Sequence, residues 1–188
     1  MKSMSDDHTA ARRRFLRCGA RLAVVGALPL CSHAARASAA APRSLAMLHT
    51  HTQERIELVF AEGERYLPEA LGRMNRFLRD HYTGEVGVID PQLFDLMHGV
   101  QQALGTERAF EIISGYRCPA TNARLRDTRG GGVAKQSLHM EGRAIDLRLP
   151  GVPLDELRDA ALSLRGGGVG YYESSRFVHL DNGRVRRW

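Results

Sequence analysis

Apolar positions follow two different periods along the chain from Leu45 onward. Leu45–His51 and Glu54–Phe60 are short β-prone runs separated by Thr52-Gln53, and the alternation of Ile56, Leu58 and Phe60 puts one face inside, which predicts a hairpin. From Pro68 to Tyr82 the period changes: Leu71, Met74, Phe77 and Leu78 recur at helical spacing, and Thr83-Gly84 supplies a stop. Asp90-Pro91 is a second helix start, an N-cap carboxylate followed by proline at the first helical position. Leu93, Leu96, Met97, Val100 and Leu104 then form one apolar stripe ending at Gly105. Both stripes read as core packing.

The second half alternates again. Ala109–Ser114 is a buried-strand candidate running into Gly115-Tyr116-Arg117, Pro119–Arg126 is a short helix, and Thr128–Val133 is a loop. Arg143–Leu149 is a strand with Ala144, Asp146 and Arg148 on one face and Ile145, Leu147 and Leu149 on the other. A helix opened by Pro153 runs through Leu157, Ala161 and Leu164 and closes at Gly166–Gly168. Val169–Glu173 and Phe177–Asp181 form a second hairpin, with Phe177, His179 and Asp181 sharing a face. These elements predict one α+β domain with a mainly antiparallel sheet flanked by helices.

Residues 1–39 carry a different pattern. Arg12-Arg13-Arg14-Phe15-Leu16-Arg17 precedes an apolar stretch, Leu22–Leu30, too short to span a bilayer, and small residues at Ala37, Ala39 and Ala40 offer cleavage sites. This reads as a secretory signal, with an uncleaved anchor or a disordered basic tail as the alternative, and its paired arginines resemble the twin-arginine motif that exports folded proteins across a bacterial inner membrane. The expected boundaries are therefore 1–39 for the signal and 40–188 for the mature domain, with the periplasm as destination. Cys31 follows Pro29-Leu30 rather than a small residue, so no lipid anchor is expected, and signal removal leaves no stable membrane insertion.

Removing the signal changes the charge balance. The whole chain is +6, but residues 1–39 hold 7 of the 27 Lys+Arg and 2 of the 21 Asp+Glu, which leaves 20 basic against 19 acidic residues. A nucleic-acid role loses its electrostatic support. Cys18 and Cys31 leave as well, so Cys118 has no intramolecular disulfide partner and the fold rests on its core and on metal. Nothing in the sequence signals an oligomeric state.

The candidate chemistry lies in Ser137–Asp146 and in Phe177–Asp181. His139, Asp146 and His179 are three His/Asp ligands of the kind a zinc site uses when it keeps a coordination position open for water. Hydrolysis also needs a proton acceptor, for which Glu173 or Asp181 is available, and an oxyanion partner, for which Arg117 is placed after its glycine turn. From spacing alone Arg117 serves equally as one half of an ion pair. His49 and His51 share a strand face and offer a weaker metal pair, or plain packing and surface histidines.

Ser137-x-His139-x-x-Gly142-x-Ala144-x-Asp146, followed by a histidine on a late strand, resembles the signature of the zinc D-Ala-D-Ala carboxypeptidase superfamily, whose fold hedgehog signalling domains share. Ser114–Asn122, Val133–Ser137, Gly167–Tyr172 and Val185–Trp188 resemble in more detail its MepK-like murein endopeptidase branch, over nearly the whole chain from about Leu45. The resemblance implies zinc on His139, Asp146 and His179, Arg117 steadying the substrate carbonyl, and peptidoglycan stem peptides and cross-links as substrate. Many relatives place Glu or His two or three residues before the last ligand, where this chain has Phe177 and Arg176. Of the two expected acceptors, Asp181 and Glu173, Asp181 is favoured because it shares a face with His179, and it is nearly as well suited to holding the ring of His179. A D,D-carboxypeptidase and a non-catalytic zinc domain that binds cell wall are the rival functions.

Overall fold

The first hairpin forms as its alternation requires. In a computed structural model, which describes residues 41–128 and 133–188, β1 (Arg43–His49) and β2 (Arg55–Glu62) pair antiparallel with Met47 opposite Ile56. The signal expected over residues 1–39 lies outside the described residues, as do residues 129–132 of the glycine loop. The remaining elements follow as β3 (Arg65–Tyr66), α1 (Pro68–Phe77), α2 (Pro91–Ala103), β4 (Phe110–Ser114), α3 (Pro119–Thr128), a 3₁₀ turn (Leu138–Glu141), β5 (Ala144–Arg148), α4 (Leu154–Leu164), β6 (Gly168–Tyr172), β7 (Phe177–Asp181) and β8 (Arg186–Arg187). One eight-stranded sheet takes the order β3-β2-β1-β4-β5-β7-β6-β8. Its pairings are antiparallel except β1 with β4 and β6 with β8. This is the α+β class that the pattern predicts.

Three helices give the sheet its apolar side. Helix α1 packs on β2, α2 on β1 and α4, and α4 on β6 and β7. Met74, Phe94, Met97 and Leu157 from the helices join Met47, Phe110, Ile112, Ile145, Leu147, Val178 and Leu180 from the strands in one core. Because side chains alternate along a strand, Asp146 and His179 project to the opposite face. A register shift in β4 extends that face: Ile112 pairs with Leu147, yet Ser114 pairs with Asp146, so the bulge turns Ser114 towards the polar side.

One helix end and two short strands depart from expectation for stated reasons. The first helix stops at Phe77 rather than Tyr82, because the Asp80 carboxylate accepts hydrogen bonds from the backbone N–H of Tyr82 (2.9 Å), Thr83 (3.3 Å) and Cys118 (2.9 Å) and so replaces helical partners. The two-residue strands β3 and β8 are too short to show a period. By contrast, Asp90 caps α2 as predicted, accepting from Gln92 N–H at 3.0 Å.

The α2 entry also anchors the turn that carries His139. Gly142 ends that turn at φ 66°, and its carbonyl accepts from Asp90 N–H at 2.9 Å. A Cβ on Gly142 would stand 1.9 Å from the Val88 carbonyl oxygen, so glycine alone fits this approach. Among the described residues no helix is long and apolar enough to cross a membrane.

Candidate metal centre

Asp146 on β5 and His179 on β7 are direct cross-strand partners, and the 3₁₀ turn brings His139 over them. His179 Nδ1 lies 2.8 Å from Asp146 Oδ1, His139 Nε2 lies 3.3 Å from the same oxygen, and the two ring nitrogens are 3.3 Å apart. Among the described residues these three are the group of His, Cys, Asp or Glu whose ligand atoms gather closely enough for one metal ion. Donors bound to one tetrahedral zinc at its usual bond lengths stand about 3.3 Å apart, so the residues present fit that ion.

The far side of each ring is tied down. His139 Nδ1 donates to the Gly115 carbonyl at 2.7 Å, which turns Nε2 towards Asp146. His179 Nε2 donates to Asp181 Oδ2 at 3.2 Å, which turns Nδ1 towards Asp146. Second hydrogen bonds of this kind fix the tautomer and plane of a ligating imidazole.

Asp181 is wholly buried and saturated. Oδ1 accepts from Gly168 N–H (3.1 Å), Gly183 N–H (2.8 Å) and Arg186 (3.1 Å), while Oδ2 accepts from Arg186 (2.8 Å) as well as His179. A Cβ on Gly168 would stand 2.4 Å from Oδ2, so the glycine run after α4 does more than end a helix.

Charge and burial pull the titrations apart. Burial pushes the Asp146 carboxyl up, but His139 and His179 outweigh it and hold the group far below the usual carboxylate range. Burial keeps His139 below its ordinary value. For His179 burial acts downward too, yet hydrogen bonds and charge from Asp146 and Asp181 prevail, and its pKa is pushed up to about 9. Asp181 is held well below the usual range by His179, Arg186 and two backbone N–H groups, against its own burial.

The trio forms the floor of a cleft of about 300 Å³. Arg117 lines it, with its guanidinium 3.7 Å from Asp146 Oδ2 and 3.4 Å from both Ser114 Oγ and Asn122 Oδ1, and its backbone N–H on the His139 carbonyl at 3.1 Å. Glu173 is exposed in the turn between β6 and β7, beside the cleft-lining Tyr172 but outside the lining itself. His49 and His51 are not members of the trio: His49 is wholly buried, edge-on to Phe77 and His81, and its Nδ1 accepts from His51 N–H at 3.2 Å. Sequence reasoning missed Arg186, Gly168 and the Gly115 carbonyl. The run Gly166–Gly168 carries a signal, since three glycines exceed what a helix stop needs, and Gly168 and Arg186 both lie in blocks that carry the family resemblance, though without a role attached.

Comparison with known proteins matches the same stretch of chain. The family model described as peptidoglycan L,D-endopeptidase MepK covers residues 37–188. The chain belongs to that family. Peptidoglycan L,D-endopeptidase MepK of Escherichia coli K12 is 42% identical over 183 residues, 97% of this chain and 100% of the relative. The Shigella flexneri protein of the same name is also 42% identical over 183 residues. "Probable peptidoglycan L,D-endopeptidase MepK" of Haemophilus influenzae is 40% identical over 178 residues, 94% of this chain and 95% of the relative. No solved structure matches. Membership in the MepK family agrees with the superfamily resemblance carried by Ser137–Asp146.

Proposed function

We propose that the protein is a zinc-dependent peptidoglycan endopeptidase that hydrolyses peptide cross-links, with the L,D specificity named for its relatives. The observation that supports this most is the convergence of His139 Nε2, Asp146 Oδ1 and His179 Nδ1 at the floor of an open cleft, each ring fixed from behind. What zinc supplies when held by these three residues is Lewis acidity towards a carbonyl and towards water. The chain's own residues do the rest.

Arg117 presents its guanidinium to the scissile carbonyl oxygen as that oxygen gains negative charge. Its contacts with Asp146, Ser114 and Asn122 hold it there before substrate arrives. Asp181 orients His179 rather than accepting a proton, since five donors already occupy its two oxygens. Glu173, exposed in the β6–β7 turn and outside the cleft lining, is the remaining acceptor for the attacking water's proton and must swing in over Tyr172 to reach it. A peptidoglycan substrate lies outside the cytoplasm, which supports reading Arg12-Arg13 and the apolar stretch of residues 1–39 as a twin-arginine signal that delivers residues 40–188 to the periplasm.

Digestion of purified cross-linked muropeptides by the zinc-loaded protein, with and without chelator, tests this. Conversion of dimers to monomers that chelator stops and added zinc restores is the expected result. Loss of single D-Ala residues with dimers intact would assign a D,D-carboxypeptidase instead, and bound zinc with no digestion would leave a wall-binding domain.

A further inference from the structure

One wall of the cleft is built of three aromatic rings that the proposed chemistry leaves unused. Tyr172 and Phe177 are cross-strand partners in the β6–β7 hairpin, stacked with centroids 4.6 Å apart and planes 20° from parallel. Trp188 continues the wall. Its Nε1 donates to the Tyr172 hydroxyl at 2.8 Å, and its ring centroid lies 5.3 Å from that of His179.

The indole is a seated part of the fold. Its backbone bridges β6, accepting from Tyr171 N–H at 3.0 Å and donating to the Val169 carbonyl at 3.3 Å. Gly170 makes room for the ring, since a Cβ there would stand 2.7 Å from Trp188 Cε2. The Arg186 guanidinium lies 4.8 Å over the indole while also pairing with Asp181, so one arginine ties the wall to the carboxylate behind His179. Despite these ties Trp188 remains 49% exposed and lines the cleft. A large aromatic surface that is held rigid yet left wet binds apolar groups at little entropic cost.

We propose that Trp188, with Tyr172 and Phe177, forms a subsite for the aliphatic part of a stem-peptide side chain next to the scissile bond, which makes Trp188 a specificity-determining residue. This rests on the peptidase reading of the cleft. Two observations select the ligand. The charge of Arg186 is taken up by Asp181, so the wall offers no open cation to a carboxylate. The indole stands against a candidate metal ligand, where a substituent of the reacting residue lies, whereas glycan is joined at the far end of the stem peptide.

Trp188 is the single tryptophan of the chain, so its emission reports this subsite directly. Titration of the chelator-treated full chain with a glycan-free cross-linked peptide dimer is expected to give a saturable blue shift. In the zinc-loaded enzyme, Trp188→Ala is expected to raise KM for that dimer about tenfold, roughly the worth of one apolar contact, with kcat within about threefold and zinc content unchanged; Trp188→Phe restores most of the loss. An unmoved emission, an unchanged KM, or a KM effect confined to glycan-bearing substrates overturns the subsite. If instead the wild-type protein leaves all dimers intact, the peptidase reading fails and the subsite falls with it.

Discussion

Asp181 Oδ2 accepts from His179 Nε2 at 3.2 Å, and this contact sets which nitrogen of His179 faces Asp146. Asp181→Asn keeps an oxygen near the ring but loses the charge and one acceptor position. Zinc affinity measured by competition with a chromophoric chelator is expected to fall about 10- to 100-fold, with turnover largely retained at saturating zinc. Abolished turnover in a fully loaded variant would make Asp181 the proton acceptor instead.

Glu173→Gln separates the same two roles from the other side. Its kcat is expected to fall about 100-fold or more, the usual worth of a general base, while zinc content and KM stay near wild type. A kcat unchanged within error would remove Glu173 from the mechanism.

Metal binding should release a proton. In the metal-free protein His179 titrates at about 9, so at pH 7 it carries a proton that zinc must displace; His139, held low by burial, carries none. Affinity therefore rises about tenfold per pH unit from 7 towards 9 and levels above. Calorimetry in buffers of different ionisation enthalpy should count about one proton released per zinc at pH 7, and a count of zero would contradict the pairing of His179 with Asp146 and Asp181.

Acid should weaken the fold through His49. Burial, then repulsion from His51 and Arg79, lowers its pKa from 6.5 to about 4. Between those values the unfolded chain binds more protons than the folded one, so stability is lost as pH falls, by up to about 3 kcal/mol near pH 4. His81, also lowered to about 4, adds to the same fall. Urea unfolding midpoints between pH 7 and 4.5 should drop less steeply in His49→Phe than in wild type.

Gly142→Ala tests the seat of the 3₁₀ turn. The new Cβ meets the Val88 carbonyl and must sit at positive φ, so a loss of about 1–3 kcal/mol in unfolding free energy is expected, together with weaker zinc binding as His139 shifts. Equal stability and affinity would mean that the turn relaxes freely.

Strong periodicity and local caps made most elements legible. Ile56, Leu58 and Phe60 mark a half-buried strand, Asp90-Pro91 marks a helix start, and alternation puts Asp146 with Ala144 and Arg148 and His179 with Asp181 on their strands; that Asp146 and His179 share one face of the sheet follows from the pairing of β5 with β7. What escaped depended on contacts distant in sequence. Asp80 ends α1 partly by binding Cys118 N–H, 38 positions away, and His139 is oriented by a backbone carbonyl that side-chain patterns never reveal. The two-residue β8 is defined by its parallel pairing with β6, so nothing in the local pattern of Val185–Trp188 marks Arg186 as the partner of Asp181.

Asp146 opposite His179, and Ala144 opposite Asp181, also tell the two central strands how to align. A slip of one residue between β5 and β7 would turn one strand's polar side chains into the layer of Leu147, Val178 and Leu180, stranding ionisable groups in hydrocarbon. The residues assigned to chemistry thus double as a registration mark for assembly: a chain that paired these strands wrongly would forfeit its cleft and its core together.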